Sequence, residues 1–107
     1  MNINIKPLSV NQAWKGRRFR SDKYKIYEKN LLLLLPNTSI EIKGDLKLSI
    51  VFGFSNRGSD IDNPLKPLID ILQKKYKFND KQIIILNVEK KIVKKGSEFI
   101  KIKLKKL

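Results

Sequence analysis

The chain contains no cysteine and no histidine. Without cysteine there is no disulfide framework and no thiolate zinc site. Without histidine there is no histidine general base, no histidine triad and no imidazole-ligated metal. Chemistry is left to carboxylates, lysine, hydroxyls and any hard metal ion held through oxygen. Acidic residues are scarce as well, 10 against 24 basic ones, for a formal net charge of +14. Arginine is the minor basic residue, present only as Arg17, Arg18, Arg20 and Arg57. Long apolar runs are missing too. The longest, Leu31 to Leu35, falls far short of the ~20 residues of a membrane span. The opening MNINIKPLSV has no apolar core and does not read as a signal peptide. No basic amphipathic helix with an exposed apolar face points to a membrane surface, so no membrane partner is expected.

What is present fits one domain over residues 1–107. Hydrophobic residues make up 41%, which separates the chain from a disordered polyelectrolyte. A chain of this size buries roughly 60–70% of its unfolded surface, enough for one modest core. The excess positive charge opposes folding, and a polyanionic partner relieves it. Nucleic acid is the usual partner of that kind. Arginine suits bidentate reading of guanine, whereas lysine suits phosphate contact. Recognition by backbone and shape is therefore expected over recognition of sequence.

Patterning along the chain predicts a mixed α+β domain. Met1, Ile3 and Ile5 alternate as a first strand over residues 1–6. Residues 7–22 read as a basic loop, with Arg17, Arg18 and Arg20 near Trp14 and Phe19. Basic side chains among aromatics suit a nucleic-acid surface; a basic loop anchored by two core aromatics has the same signature. Ser21 or Asp22 caps a helix to about Leu35, with Tyr24, Tyr27, Leu31 and Leu34 or Leu35 at helical spacing. The five consecutive leucines suggest burial on more than one face, or a dimer surface. Residues 39–54 alternate as strand, with Gly44-Asp45 as turn or bulge. A turn-rich loop follows, then a helix with Leu65, Leu68, Ile69, Leu72 and Tyr76 on one face. FNDKQ is a short connection. Ile83 to Val93 and the segment ending at Leu107 read as the last two strands. The sum is a mixed, mostly antiparallel sheet with two helices packed on it. Lys101, Lys103 and Lys105 share one strand face, either as a solvated edge or as a stripe facing DNA.

In so basic a chain the acidic minority is informative. Four of the ten acids lie between residues 60 and 80: Asp60, Asp62, Asp70 and Asp80. On an extended backbone Asp60 and Asp62 point the same way. Carboxylates ~4 Å apart repel by about 4 kcal/mol at an effective dielectric of 20. A divalent cation removes that conflict, and Mg2+ or Mn2+ prefers such oxygen ligands. A plainer account makes Asp62 a helix N-cap and Asp60 a solvated loop residue. Asp70 has Lys66 and Lys74 four residues away on either side, which suits helix ion pairs.

The segment D60-I-D62-N63-P-L-K66-P-L-I-D70, followed by F78-N-D80-K-Q-I, resembles the core signature of the RusA family of Holliday junction resolvases. P7-L-S-V-N11 and the basic run at Arg17 to Arg20 resemble the family's opening, so the likeness spans nearly the whole chain. It implies a RusA-like fold and a metal-dependent endodeoxyribonuclease acting on four-way DNA junctions as a homodimer. By position, Asp60, Asp62 and Asp80 would hold Mg2+ or Mn2+, and Lys66 would be catalytic. Asn63 and Asp70 fall on recurring, supporting positions. Asn11, Lys15, Arg17, Arg18, Arg20, Arg57 and Lys66 are the candidate DNA contacts. Family members often carry two acids where this chain has Asn79-Asp80; the Asn79 carbonyl can still coordinate. Family habit also implies the cytoplasm of a bacterial or phage-infected cell. Two other readings fit the composition: a non-enzymatic nucleic-acid binder, and a nuclease-like fold without catalysis.

Overall fold

The computed structural model describes residues 1–9, 13–15, 19–38 and 42–107, with backbone alone for Trp14, Lys15, Phe19 and Arg20. In chain order the elements are strands β1 (Asn2–Ile3), β2 (Trp14–Lys15) and β3 (Phe19–Arg20), helix α1 (Asp22–Leu34), strand β4 (Leu46–Phe54), helix α2 (Leu65–Tyr76), a 3-10 turn (Asp80–Gln82), and strands β5 (Ile83–Ile92) and β6 (Phe99–Lys106). The main sheet has the order β1-β6-β4-β5. β6 runs antiparallel to both β1 and β4, while β4 and β5 are parallel. A parallel pair needs a crossover, and α2 supplies it. The sheet is therefore mixed and mostly antiparallel, as the alternation predicts.

Period-two patterning explains the core. Leu46, Leu48, Ile50 and Phe52 of β4 are buried, as are Ile100 and Ile102 of β6. They face Leu68, Ile71 and Leu72 of α2 and Tyr24, Tyr27 and Leu31 of α1 in one cluster. Each such aliphatic or aromatic side chain contributes roughly 1.5–3 kcal/mol when fully buried. α1 and α2 lie on this face, and among the described residues no helix covers the opposite face of the sheet.

Local chemistry corrects several expectations. β1 stops at Ile3 because Ile5 N–H turns back to the Ile3 carbonyl at 3.0 Å. Residues 7–22 hold a short ribbon, β2 on β3, where a loop was expected. Ser21 is the N-cap of α1, its hydroxyl accepting from Tyr24 N–H at 3.1 Å. The five leucines do not share the core: Leu31 and Leu35 are buried, whereas Leu33 and Leu34 are 76% and 51% exposed. The stripe of Tyr24, Tyr27, Leu31 and Leu35 faces the core, and Leu33 and Leu34, in the last turn of the helix, lie off its centre. The strand expected over 39–54 begins at Leu46; Ile42 to Asp45 are not strand, and Gly44 turns the chain with a φ of +80°. Residues 39–41 lie outside the described residues. Ile71 of α2, absent from the expected face, is fully buried.

Gly53 of β4 pairs with Phe99 of β6, and the Phe99 ring lies over it. A Cβ at Gly53 would stand 2.3 Å from the ring. Gly53→Val is expected to lower stability by about 2 kcal/mol through this overlap, read as a lower denaturant midpoint at unchanged slope.

Candidate active site

β4 delivers the chain into the Ser55–Pro64 loop, and its many turn formers fold it tightly. Asn56 accepts from Gly58 N–H at 2.6 Å, an Asx turn. Asn63 N–H bonds to the Asp60 carbonyl at 3.3 Å and Leu65 N–H to the Asp62 carbonyl at 3.1 Å. The backbone from Asp60 onward is thus a pair of overlapping turns, not the extended run assumed from spacing. Pro64, not Asp62, occupies the N-cap position of α2 and makes no side-chain cap bond. Pro67 falls in the first turn, where amides have no helical acceptor in any case. Asp60 and Asp62 are both exposed. Among the described residues no hydrogen bond or ion pair engages either carboxylate.

The loop is fastened from β5. Lys90 Nζ donates to the Arg57 carbonyl at 2.8 Å and to the Ser59 carbonyl. The same ammonium stands 5.8 Å from the centroid of the Phe54 ring. Below the loop lies a cleft of about 460 Å3, lined by Lys6, Pro7, Ser9, Phe54, Ser55, Asn56, Gly58, Ser59, Asn63, Pro64 and Glu98. Glu98 ties the β5–β6 turn to the β4 exit, accepting from the Ser55 hydroxyl at 3.0 Å and from Gly96 N–H at 2.7 Å. Its own backbone N–H and then the Ser55 hydroxyl hold its carboxyl below the ordinary 4.5.

Asp80 is elsewhere. Because β4 and β5 are parallel, Leu46 pairs with Ile83 and Phe54 with Ile92. Asp60 and Asp62 follow the Phe54 end; Asp80 precedes the Ile83 end. Gln82 bonds to the Ile42 and Gly44 carbonyls, and Asp80 N–H to Gln73 Oε1 at 2.8 Å, which fixes Asp80 beyond the far end of α2. The separation is of the order of the helix itself, about 18 Å at 1.5 Å per residue. Among the described residues no three carboxylates of one chain converge on a metal position. Asn79 is committed as well: its side chain caps the 3-10 turn through Lys81 N–H at 2.9 Å.

Lys66 is exposed on the first turn of α2 and pairs with Asp70 at 2.9 Å. An i,i+4 pair of this kind is worth only ~0.2–0.5 kcal/mol, so Lys66 leaves it at little cost. Arg57 is exposed in the loop. Lys15 and Arg20 lie on the β2–β3 ribbon, where Lys15 pairs with Phe19 and Arg20 with Trp14. Asn11, Arg17 and Arg18 lie outside the described residues. One copy of the chain thus brings together Asp60, Asp62, Asn63 and Arg57 at one end of the sheet.

Sequence reasoning missed Lys90, Ser55 and Glu98. Lys90 had a signal: it stands on the parity of Leu86, Val88 and Ile92, where an apolar residue belongs. Lys90→Met keeps the stem against Phe54 and removes the clamp. Any activity that depends on the side chains of this loop is expected to fall about 10- to 100-fold through its misplacement. Amide exchange at residues 57–60 would rise, with melting nearly unchanged.

Two exposed, uncommitted carboxylates on a tight loop, backed by cationic groups, are an oxygen donor set suited to a hard divalent ion. No curated protein matches the chain. A family model does, over residues 6–105, and its description is endodeoxyribonuclease RusA. With that match covering nearly all of its 107 residues, the chain belongs to the RusA family of endodeoxyribonucleases.

Proposed function

We propose that this chain resolves four-way (Holliday) DNA junctions by paired, Mg2+- or Mn2+-dependent phosphodiester hydrolysis, working as a homodimer. Family membership supports the reaction class. The observation that carries the site is the division of the acidic residues: Asp60 and Asp62 at one end of α2, Asp80 at the other. A three-carboxylate metal site then needs two copies, with Asp60 and Asp62 from one and Asp80 from the other.

β5 offers a way to assemble it. This strand lies at the sheet edge, and Ile84, Ile85, Leu86 and Ile92 on it are 40–58% exposed. An apolar edge strand in so charged a chain is a natural site for strand addition. A twofold axis through the middle of β5 would pair it antiparallel with its copy. The Asp80 end of each β5 would then lie beside the Ile92 end of the other. There Lys90 grips the loop that carries Asp60 and Asp62. Two sites related by a twofold suit two nicks in a branched substrate of similar symmetry.

In each site a divalent ion would supply a Lewis acid for the phosphate and a water of lowered pKa. The residues of the chain do the rest. Asp60, Asp62 and the second copy's Asp80 would hold the ion, with Asn63 next to Asp62 in the chain. Lys66 swings from Asp70 to offset charge on the scissile phosphate. Arg57, Lys15 and Arg20, with Asn11, Arg17 and Arg18, hold the backbone of the DNA. On this reading the chain works in the cytoplasm of a bacterial or phage-infected cell.

The test is cleavage of a labelled synthetic four-way junction, with linear duplex as control, in Mg2+, Mn2+ and EDTA. Paired nicks at the branch in either metal and none in EDTA are expected. Weak binding indifferent to DNA shape, with no cutting, would return the chain to a non-enzymatic nucleic-acid binder.

A further inference from the structure

The face of the sheet turned away from α1 and α2 has its own composition. Register sets Lys105 beside Lys47, Lys103 beside Ser49 and Lys101 beside Val51 across β6 and β4. Across β4 and β5 it sets Ser49 beside Asn87, Val51 beside Glu89 and Gly53 beside Lys91. Among the described residues, five lysines and one glutamate share this face. Lys47, Ser49, Lys103 and Lys105 enclose a shallow hollow of about 100 Å3.

We propose that this open face is a second nucleic-acid surface, separate from the cleft end, which seats the phosphate backbone of one duplex arm of the substrate. It rests on the reading of the chain as a DNA-cleaving enzyme. Like charges directly opposite one another on adjacent strands destabilise a sheet. Lys47 and Lys105 stand in that relation, and β4 is paired on both sides, so Lys47 protects no edge. A polyanion turns the repulsion into attraction. The same face of a second copy would bring the same charges together and is disfavoured. Alternate residues of β6 advance by about 6.8 Å. Phosphates of one DNA strand advance about 3.4 Å along the axis, so successive lysines of β6 are spaced by the axial rise of two phosphates. Among the described residues this face carries no arginine, so it holds the backbone without reading bases.

The experiment compares two triple variants of the full chain with the wild type. K47Q/K103Q/K105Q strips the open face; K23Q/K25Q/K29Q removes the same charge from exposed positions of α1. Binding of a four-way junction is measured in EDTA over a range of salt concentrations, with stability checked by thermal melting. The sheet variant is expected to lose about two to three units of the log–log salt slope, near 0.9 per phosphate contact. Its junction affinity falls at least tenfold, and in Mg2+ the loss falls on KM. The α1 variant keeps the slope within about one unit. Equal slopes for the two variants, or an unchanged slope for the sheet variant, would overturn the proposal. Should the wild type bind with the expected slope difference and yet cut no junction in either metal, the surface stands and the junction-cleaving reading falls.

Discussion

Asp62→Asn is expected to leave the fold and junction binding intact and to reduce metal-dependent cleavage by about a thousandfold, some 4 kcal/mol of transition-state stabilisation. The side chain is exposed and its carboxylate engages no described partner. An isosteric change there is expected to move stability by no more than ~0.5 kcal/mol. The helix start is also indifferent, since Pro64 holds the N-cap position and only the backbone carbonyl of Asp62 is used. What the change removes is one negatively charged oxygen donor from the loop proposed to hold the ion. Titration with Mn2+, followed by calorimetry, should show weakened metal binding in parallel with the lost activity. A variant that cut junctions at the wild-type rate would refute the metal role of this loop.

Mixing two inactive variants is expected to restore activity. On the proposed two-copy site, which takes Asp62 from one copy and Asp80 from the other, Asp62→Asn and Asp80→Asn would each disable both sites of their own dimer. In a mixed dimer one site holds both substitutions and the other holds none. After subunit exchange, random assortment gives about a quarter of the wild-type number of intact sites. The products should be single nicks, since each mixed dimer has one working centre. If the three aspartates of a single chain formed the site, every mixture would stay inactive. Exchange of labelled subunits, followed in the same samples, verifies that mixed dimers were present. The same logic makes the dimer edge testable: a charged substitution of Leu86 on β5 should lower activity in step with dimer content.

Part of this was legible in the residues. Period-two alternation in β4 and β6 and helical spacing in α1 and α2 predict most of the core: the structure buries Leu46, Leu48, Ile50, Phe52, Ile100, Ile102, Tyr24, Tyr27, Leu31, Leu68 and Leu72, leaves Leu65, Ile69 and Tyr76 half-buried, and adds Ile71. Turn formers from Ser55 to Pro64 mark the loop. The spacing of Asp60, Asp62, Lys66 and Asp80 carries the resemblance to the RusA family, and the family match over residues 6–105 agrees with it. Lys90 was hidden because a lysine among lysines looks solvated; only strand parity sets it apart. Glu98 was hidden because its partner Ser55 is 43 residues away.

The sequence by itself determined the chemical repertoire. With neither cysteine nor histidine, only oxygen ligands and lysine remain, and the surplus of lysine selects a polyanion. Those are sums over residue types and short-range spacing, which need no fold. Tertiary structure alone decided which acids can meet. The parallel pairing of β4 with β5 forces α2 to cross between their opposite ends. Aspartates before and after that helix are therefore held a helix length apart, however close they stand in the sequence.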